Sequence, residues 1–393
     1  MLIEIIVALL LGIVAGTFTG LTPGIHINLI GGLLLSLSIL NITPIYLAVF
    51  VVAMAVTHTF LDFIPSVFLG CPDTDTELSV LPGHELLKNK RGYEAVYLSN
   101  IGSLIALALL LIVLVPSIFF LKNFYSLISS AIPYILIVLS ILIILTDKNK
   151  KSALLVFLLT GFLGYSILNF ELNEPLLPLL TGLFGASNIL LSIKNKIQIP
   201  EQEITKPKLS LKNPVLGSVI SAPLCSFLPG IGSGQAAVIG NTVVKQNSSQ
   251  FLILIGITNT LVMGFSFVSL YLIEKTRTGT AATLSELIGK INSMEIILIL
   301  LVFLVAGTVA FFLTDFLAKI FSQKIKKINY TKISITTLIF LALVTILVSG
   351  FLGFLILIVS TLTGIYAINS KTKRTNMMGC LIIPTILFYF GLA

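Results

Sequence analysis

Charge is what this sequence lacks. Its 393 residues include 24 Lys and Arg and 16 Asp and Glu, so only 10% are charged while 56% are hydrophobic. A soluble chain carries about 25% charged residues. So few charges cannot coat a water-facing surface of this size, which excludes a soluble enzyme, a disordered regulator and a secreted disulfide scaffold. The composition fits a multi-span integral membrane protein. Cysteine is scarce too. Cys71, Cys225 and Cys380 stand far apart with no metal or redox spacing. The three histidines are scattered, so no metal site and no cofactor are expected. H-E-x-x-H, G-x-G-D, G-x-G-x-x-G and Walker signatures are missing. Gly232-Ser233-Gly234 has no partner base, because His26, His58 and His84 all lie in the other half. The chain is therefore not read as an enzyme. The first residues carry no basic n-region and no A-x-A signal, and are read as mature structure.

The formal charge of +8 does not point to nucleic acid, because the basic residues fall between apolar runs, as cytoplasmic loops do. Apolar stretches lie at about 45–68, 94–119, 124–146, 152–169, 176–193, 250–273, 291–320, 333–349, 351–369 and 376–392. Most reach the roughly 17–25 residues of a membrane helix. Two more, about 5–40 and 214–244, are broken at their centres by Pro-Gly: Gly16 to Asn28 reads G-T-F-T-G-L-T-P-G-I-H-I-N, and Ser226 to Gln235 reads S-F-L-P-G-I-G-S-G-Q. Proline removes a donor and glycine permits reversal. Lys88, Lys90 and Arg91, then Lys148, Lys150 and Lys151, then Lys194 to Lys212, Lys245, Lys324 to Lys332, and Lys371 to Arg374 all read as inside. On that scheme segment 214–244 starts and ends inside, and segment 5–40 starts and ends outside. Both would be re-entrant. Lys275 and Arg277 are the misfit, since the scheme puts them outside.

The expected fold is an all-α polytopic membrane protein of two inverted-topology repeats. Each is a Pro-Gly hairpin followed by about five spanning helices. Residues 1–194 form the first repeat, 195–213 a polar cytoplasmic linker, and 214–393 the second. Thr57-His58-Thr59 follows the first hairpin as Thr258-Asn259-Thr260 follows the second. Such repeats with broken helices near the midplane are common in secondary transporters. The termini are expected outside a multi-pass protein of the cell membrane.

Half-helices starting after Pro23-Gly24 and Pro229-Gly230 would aim free N–H groups and positive dipole ends inward, making an anion site without a cationic side chain. Thr19, Thr22, His26 and Asn28 cluster at the first break, and Ser226, Ser233 and Gln235 at the second. Gly232 and Gly234 would let a ligand approach the backbone. His58 and Asp62, at i and i+4, share a helix face, and ionisable groups within a span suggest ion or proton coupling. Thr57, Thr258 and Asn259 could assist, with Na⁺ or H⁺ as coupling ion. The acids Asp73, Asp75 and Glu77 lack the pattern of a calcium loop. Asp73 or Thr74 is expected to start a short helix that Pro82-Gly83 ends. Asp315 is expected to pair with Lys319.

Together, the Pro-Gly hairpins, the run T-H-T-F-L-D-F-I-P-S starting at Thr57 and continuing to Ala95, and L-L-P-L-L-T-G-L-F-G-A-S-N-I-L from Leu176 to Leu190 resemble the large membrane subunit of tripartite tricarboxylate transporters, the TctA family, in an archaeal-type branch. The resemblance implies a cation-coupled importer of small carboxylates. It also implies a small membrane subunit and an extracytoplasmic solute-binding protein as partners, and roles for Gly20, Pro23, Gly24, Pro229, Gly230 and Gly232. Substrate would be held between the two hairpin tips by alternating access. The competing reading is a polyprenyl-phosphate translocase, since dipole ends suit phosphate as well as carboxylate. The absence of Arg and Lys from the hairpins favours a small organic anion.

Overall fold

The computed structural model of the chain describes residues 2–22, 43–70, 76–194, 200–227, 232–276, 278–325 and 330–392. Among these residues there are helices and no strands. In chain order they are α1 (Leu2–Leu21), α2 (Pro44–Leu61), α3 (Phe63–Phe68), α4 (Val80–Lys88), α5 (Gly92–Leu145) and α6 (Lys150–Leu168). Next come α7 (Leu176–Leu180), a π-helical turn (Thr181–Ala186), α8 (Ser187–Lys194), α9 (Lys212–Phe227), α10 (Ser233–Val243) and α11 (Ser248–Ile273). The chain closes with α12 (Gly279–Ile288), α13 (Ser293–Lys324), α14 (Tyr330–Asn369) and α15 (Gly379–Tyr389). In hydrocarbon a backbone must satisfy its own polar groups, and a helix does so within one segment.

Seven helices are long and apolar enough to cross a membrane: Leu2–Leu21, Pro44–Phe68, Gly92–Phe119, Lys150–Leu168, Ser248–Ile273, Ser293–Lys324 and Ser334–Asn369. Ser130–Leu145 and Leu176–Leu191 are shorter apolar helices. This is a multi-pass membrane protein. Two of the spans form its centre: α2 with α3, and α11, are 94% buried, against 28–39% for the other five. The outer helices turn large apolar side chains outward, as Leu301, Phe312 and Phe316 do on α13.

Close packing of the centre depends on small residues. Where α5 crosses α11, a Cβ on Gly102 would lie 2.2 Å from the Ile253 carbonyl oxygen, and one on Gly256 would lie 2.1 Å from that of Ser99. Only glycine permits that approach. On α1, Gly12 meets Phe50 and Ala53 of α2, Gly16 meets Met54 and Thr57, and Gly20 meets His58 and Leu61. The matching steps mean that α1 and α2 run parallel. Leu21 therefore lies beside the far end of α2, while Thr43 precedes its first residue.

The second half repeats part of this arrangement. Gly240 of α10 packs on Gly217 and Ser221 of α9, so these helices form an antiparallel hairpin. Its two ends meet where Asn213 Nδ2 donates to the Lys245 carbonyl at 3.3 Å. Both α9 and α10 pack on α11, as α1 packs on α2. Further along, α13 packs on α2 while α5 packs on α11, and α15 packs on α6 while α14 packs on α7, the π turn and α8.

The two stretches read as separate spans at 94–119 and 124–146 are joined in one helical run of 54 residues, α5, with Pro116 and Pro133 inside it. A straight helix of that length would measure about 80 Å. Its ends are nonetheless linked by a short chain of contacts. Gly92 N–H donates to Gln202, whose amide donates to Leu87 of α4. One turn back, His84 and Asn188 both lie over Gly70. Arg374 donates to Asn188, and Asn376 donates to Asp147, just beyond the other end of α5. The run therefore folds back on itself, as two spans would. The stretches 333–349 and 351–369 are likewise one helix, divided where Gly350 takes a φ of +69°.

The same chain of contacts gathers Lys88, Lys373 and Arg374 at one end of the bundle. The linker joins them there: Glu203 N–H donates to the Lys90 carbonyl, and Lys206 sits 5.3 Å from the Tyr97 ring centre. At the end of α11, Glu274 pairs with Lys290 at 2.7 Å, which occupies one acid near the misfit Lys275. Arg277 lies outside the described residues. One expectation fails. Pro82 and Gly83 do not end a helix but sit in the first turn of α4, where a missing N–H costs nothing.

Candidate functional site

Pro65 has no N–H to give the Leu61 carbonyl, and the central α2–α3 rod breaks there, at Asp62. The Asp62 N–H still bonds the His58 carbonyl at 3.0 Å, and Ser66 Oγ donates to the Asp62 carbonyl at 2.7 Å. The break thus holds a carboxylate next to a carbonyl that lacks its helical donor, one turn after the polar triplet Thr57-His58-Thr59. Asp62, His58, Thr57 and Thr59 are all buried.

Two neighbouring helices meet this point. From α11, Asn259 Nδ2 makes long hydrogen bonds to Asp62 Oδ2 (3.3 Å) and to the Thr59 carbonyl (3.4 Å). From α1, the Thr19 hydroxyl donates to the Gly16 carbonyl at 3.2 Å, and its oxygen lies 3.0 Å from His58 Nδ1. The Thr19 hydroxyl thus hydrogen-bonds the His58 ring across the α1–α2 interface. Thr57 Oγ1 and Thr260 Oγ1 are buried with no hydrogen-bond partner among the described residues. The cluster therefore combines a carboxylate, an amide, an imidazole and a hydroxyl inside largely apolar helices, a costly arrangement that marks a functional site.

The sequence-based residues divide clearly. Thr19, His58, Asp62 and Asn259 are joined by hydrogen bonds, with Thr57 and Gly20 against the same interface. Thr258 is buried, but its hydroxyl bonds the Leu254 and Ile255 carbonyls of its own helix, and Thr22 likewise bonds Phe18. Ser233, Gly234 and Gln235 are buried in the first turn of α10. There Gln235 Oε1 accepts from the Gly232 N–H at 3.0 Å, so this side chain caps the helix. Ser226 belongs to the last turn of α9. Pro23, Gly24, His26, Asn28, Pro229 and Gly230 lie outside the described residues, as do Asp73, Thr74 and Asp75. Asp315 pairs with Lys319 at 2.6 Å as expected, and also accepts from Tyr93 Oη at 2.6 Å. Thr260 and the Tyr93 contact went unrecognised: Thr260 reads as one more apolar-helix threonine, and the Tyr93–Asp315 pair is 222 positions apart. Among the described residues no group of three or more His, Cys, Asp and Glu could hold a metal ion.

A buried polar break at the centre of a bundle of apolar spans defines a membrane transport protein. The family model described as "Tripartite tricarboxylate transporter TctA family" matches residues 6–379, and the chain belongs to that family. It is also similar to an uncharacterised protein of Methanocaldococcus jannaschii, 33% identical over 402 residues, covering 97% of this chain and 98% of that protein. No solved structure matches it.

Proposed function

We propose that the chain is the permease of a secondary active transport system for small organic anions, di- or tricarboxylates, driven by Na⁺ or H⁺. The observation that carries this reading is the Asp62–Asn259 contact, a carboxylate held across the two most buried helices. The Asp62 carboxylate and the neighbouring Leu61 carbonyl, whose helical donor Pro65 removes, offer oxygens suited to a small cation. His58 and Asp62 are equally suited to carry a proton.

Substrate is held between two hairpin tips. The parallel register of α1 and α2 supports the first as re-entrant, because the chain must return about 27 Å, the length of α2, between Leu21 and Thr43. The antiparallel α9–α10 pair, whose ends meet at Asn213 and Lys245, supports the second. The matched packings of α2 on α13 and α11 on α5 support an inverted repeat of residues 1–194 and 214–393 about the linker 195–213. The N-terminal end of α10, next to Gly232, would face the carboxylates. The protein works in the cell membrane with its termini outside, partnered by a small membrane subunit and an extracytoplasmic solute-binding protein.

Reconstitution in liposomes with labelled succinate and citrate under imposed Na⁺ or H⁺ gradients tests this. Uptake should follow one of the gradients and vanish in Asp62→Asn. Uptake indifferent to both gradients, or polyprenyl-phosphate translocation without carboxylate uptake, sinks the proposal. Valine at Gly24 or Gly230 should stop transport while leaving insertion intact.

A further inference from the structure

A second polar corner lies at the basic end of the bundle, apart from the cluster around Asp62. Three elements build it. The short turn before α15 supplies Arg374, α8 supplies Asn188, and α4 supplies His84. Arg374 NH2 donates to Asn188 Oδ1 at 2.8 Å, which fixes the Asn188 amide with its nitrogen pointing the other way. That nitrogen and His84 Nε2 converge over Gly70, at 2.5 Å and 2.8 Å from where a Cβ on that residue would sit. Gly70 has a φ of +69°, and a Cβ there would collide with both nitrogens, so only glycine lets the two side chains close over this turn.

None of the inward-facing atoms is satisfied. Arg374 NH1, Asn188 Nδ2 and His84 Nε2 are all buried without a hydrogen-bond partner among the described residues. A buried donor left unpaired costs about 1–3 kcal/mol, and more when charged. Three such atoms in one corner, one on a guanidinium with no acidic partner among the described residues, form a set that an acceptor would complete. Asp147, a carboxylate on this side, is already held by Asn376 Nδ2 at 2.7 Å and by the Lys373 N–H at 2.8 Å. Lys88 adds positive potential, so an anion rather than a water molecule is the matching ligand.

We propose that Arg374, Asn188 and His84 form a binding site for a small oxyanion, a carboxylate or a phosphate, at the basic end of the protein. The guanidinium presents its free NH1 edge to one oxygen, and the Asn188 amide and the His84 imidazole hold a second. Burial lowers the Arg374 guanidinium to about 10. Burial first, then Arg374 and Lys88, lowers His84 to about 3. Burial is the cause at Arg374 and the first cause at His84, and an anion beside the guanidinium would offset the cost of burying its charge. The site does not depend on the carboxylate-transport reading, and it would persist if that reading failed.

The test is helix melting of the purified full-length protein, followed by circular dichroism. In detergent, phosphate and citrate at 10 mM are compared with chloride at matched ionic strength. In nanodiscs, phosphatidylglycerol is compared with phosphatidylcholine, which separates a lipid headgroup from a free anion. Either source should raise the Tm by about 2 °C or more, and Arg374→Gln should remove the rise. Asn188→Asp places a carboxylate beside the guanidinium. It should melt at least as high as the parent and no longer respond to added anion, which keeps the test informative if Arg374→Gln does not fold. An equal rise in parent and Arg374→Gln, or an Asn188→Asp protein that responds as the parent does, overturns the proposal. So does the absence of any rise in the parent together with native mass spectrometry showing no bound anionic lipid.

Discussion

The two central helices α2 and α11 occupy equivalent places and carry different chemistry. Each is buried on nearly every side and brings a Thr-x-Thr triplet into the buried core. On α2 the residue between the threonines is His58, and Asp62 follows one turn later. On α11 the same positions hold Asn259 and Met263. The first helix breaks at its carboxylate because of Pro65, while the second runs unbroken from Ser248 to Ile273. Symmetric placement with asymmetric charge separates two tasks. Both helices form the scaffold, and only one carries a group that can gain or lose a charge.

The comparison can be broken most forcefully at the helix crossings. Gly256→Val would drive its side chain into the Ser99 carbonyl, and Gly16→Val into that of Met54. Each should cost more than about 3 kcal/mol and abolish the monodisperse peak in detergent chromatography. Gly217→Ala, whose Cβ meets Gly240 at a looser 2.9 Å, should be tolerated far better. If chemistry belongs to α2 alone, Asp62→Asn should reduce gradient-driven uptake about 100-fold with helix content unchanged. Asn259→Ala, which removes only a long hydrogen bond, should reduce it less than tenfold. Equal losses would make the two helices functional equals. Thr19→Val deletes the partner of His58 Nδ1 and should destabilise the protein by about 1–2 kcal/mol in thermal melts, with a matching Thr260→Val nearly neutral because that hydroxyl bonds nothing among the described residues. Smallest of all, Asn247→Ala removes the side-chain cap of α11 at Gln250, worth about 1 kcal/mol in the same melts.

Much of this was readable from local pattern. The antiparallel α9–α10 hairpin follows from Pro229-Gly230 between two apolar halves with Lys212 and Lys245 at its ends. The triplets at Thr57 and Thr258 marked the two helices that prove central. The i, i+4 spacing of His58 and Asp62 correctly placed both inside, but not their separate partners, Thr19 on one neighbour and Asn259 on the other. Spacing along one helix says nothing about which helix lies opposite. For the same reason Tyr93 with Asp315 and Arg374 with Asn188 left no mark in the sequence, since packing alone joins them. Pro82-Gly83 misled in another way: proline is as well suited to the first turn of a helix as to its end, and flanking residues do not decide which.

One contact bears on how the chain is made. The first turn of α5 has no side-chain cap of its own at Arg91. The amide of Gly92 is satisfied instead by Gln202, 110 residues later, which also ties down the Leu87 carbonyl. During synthesis the largest span of the first half must therefore enter the bilayer with one end unfinished. Only when the linker emerges does that end close, so the linker acts as a clasp that dates the completion of the first half to the start of the second.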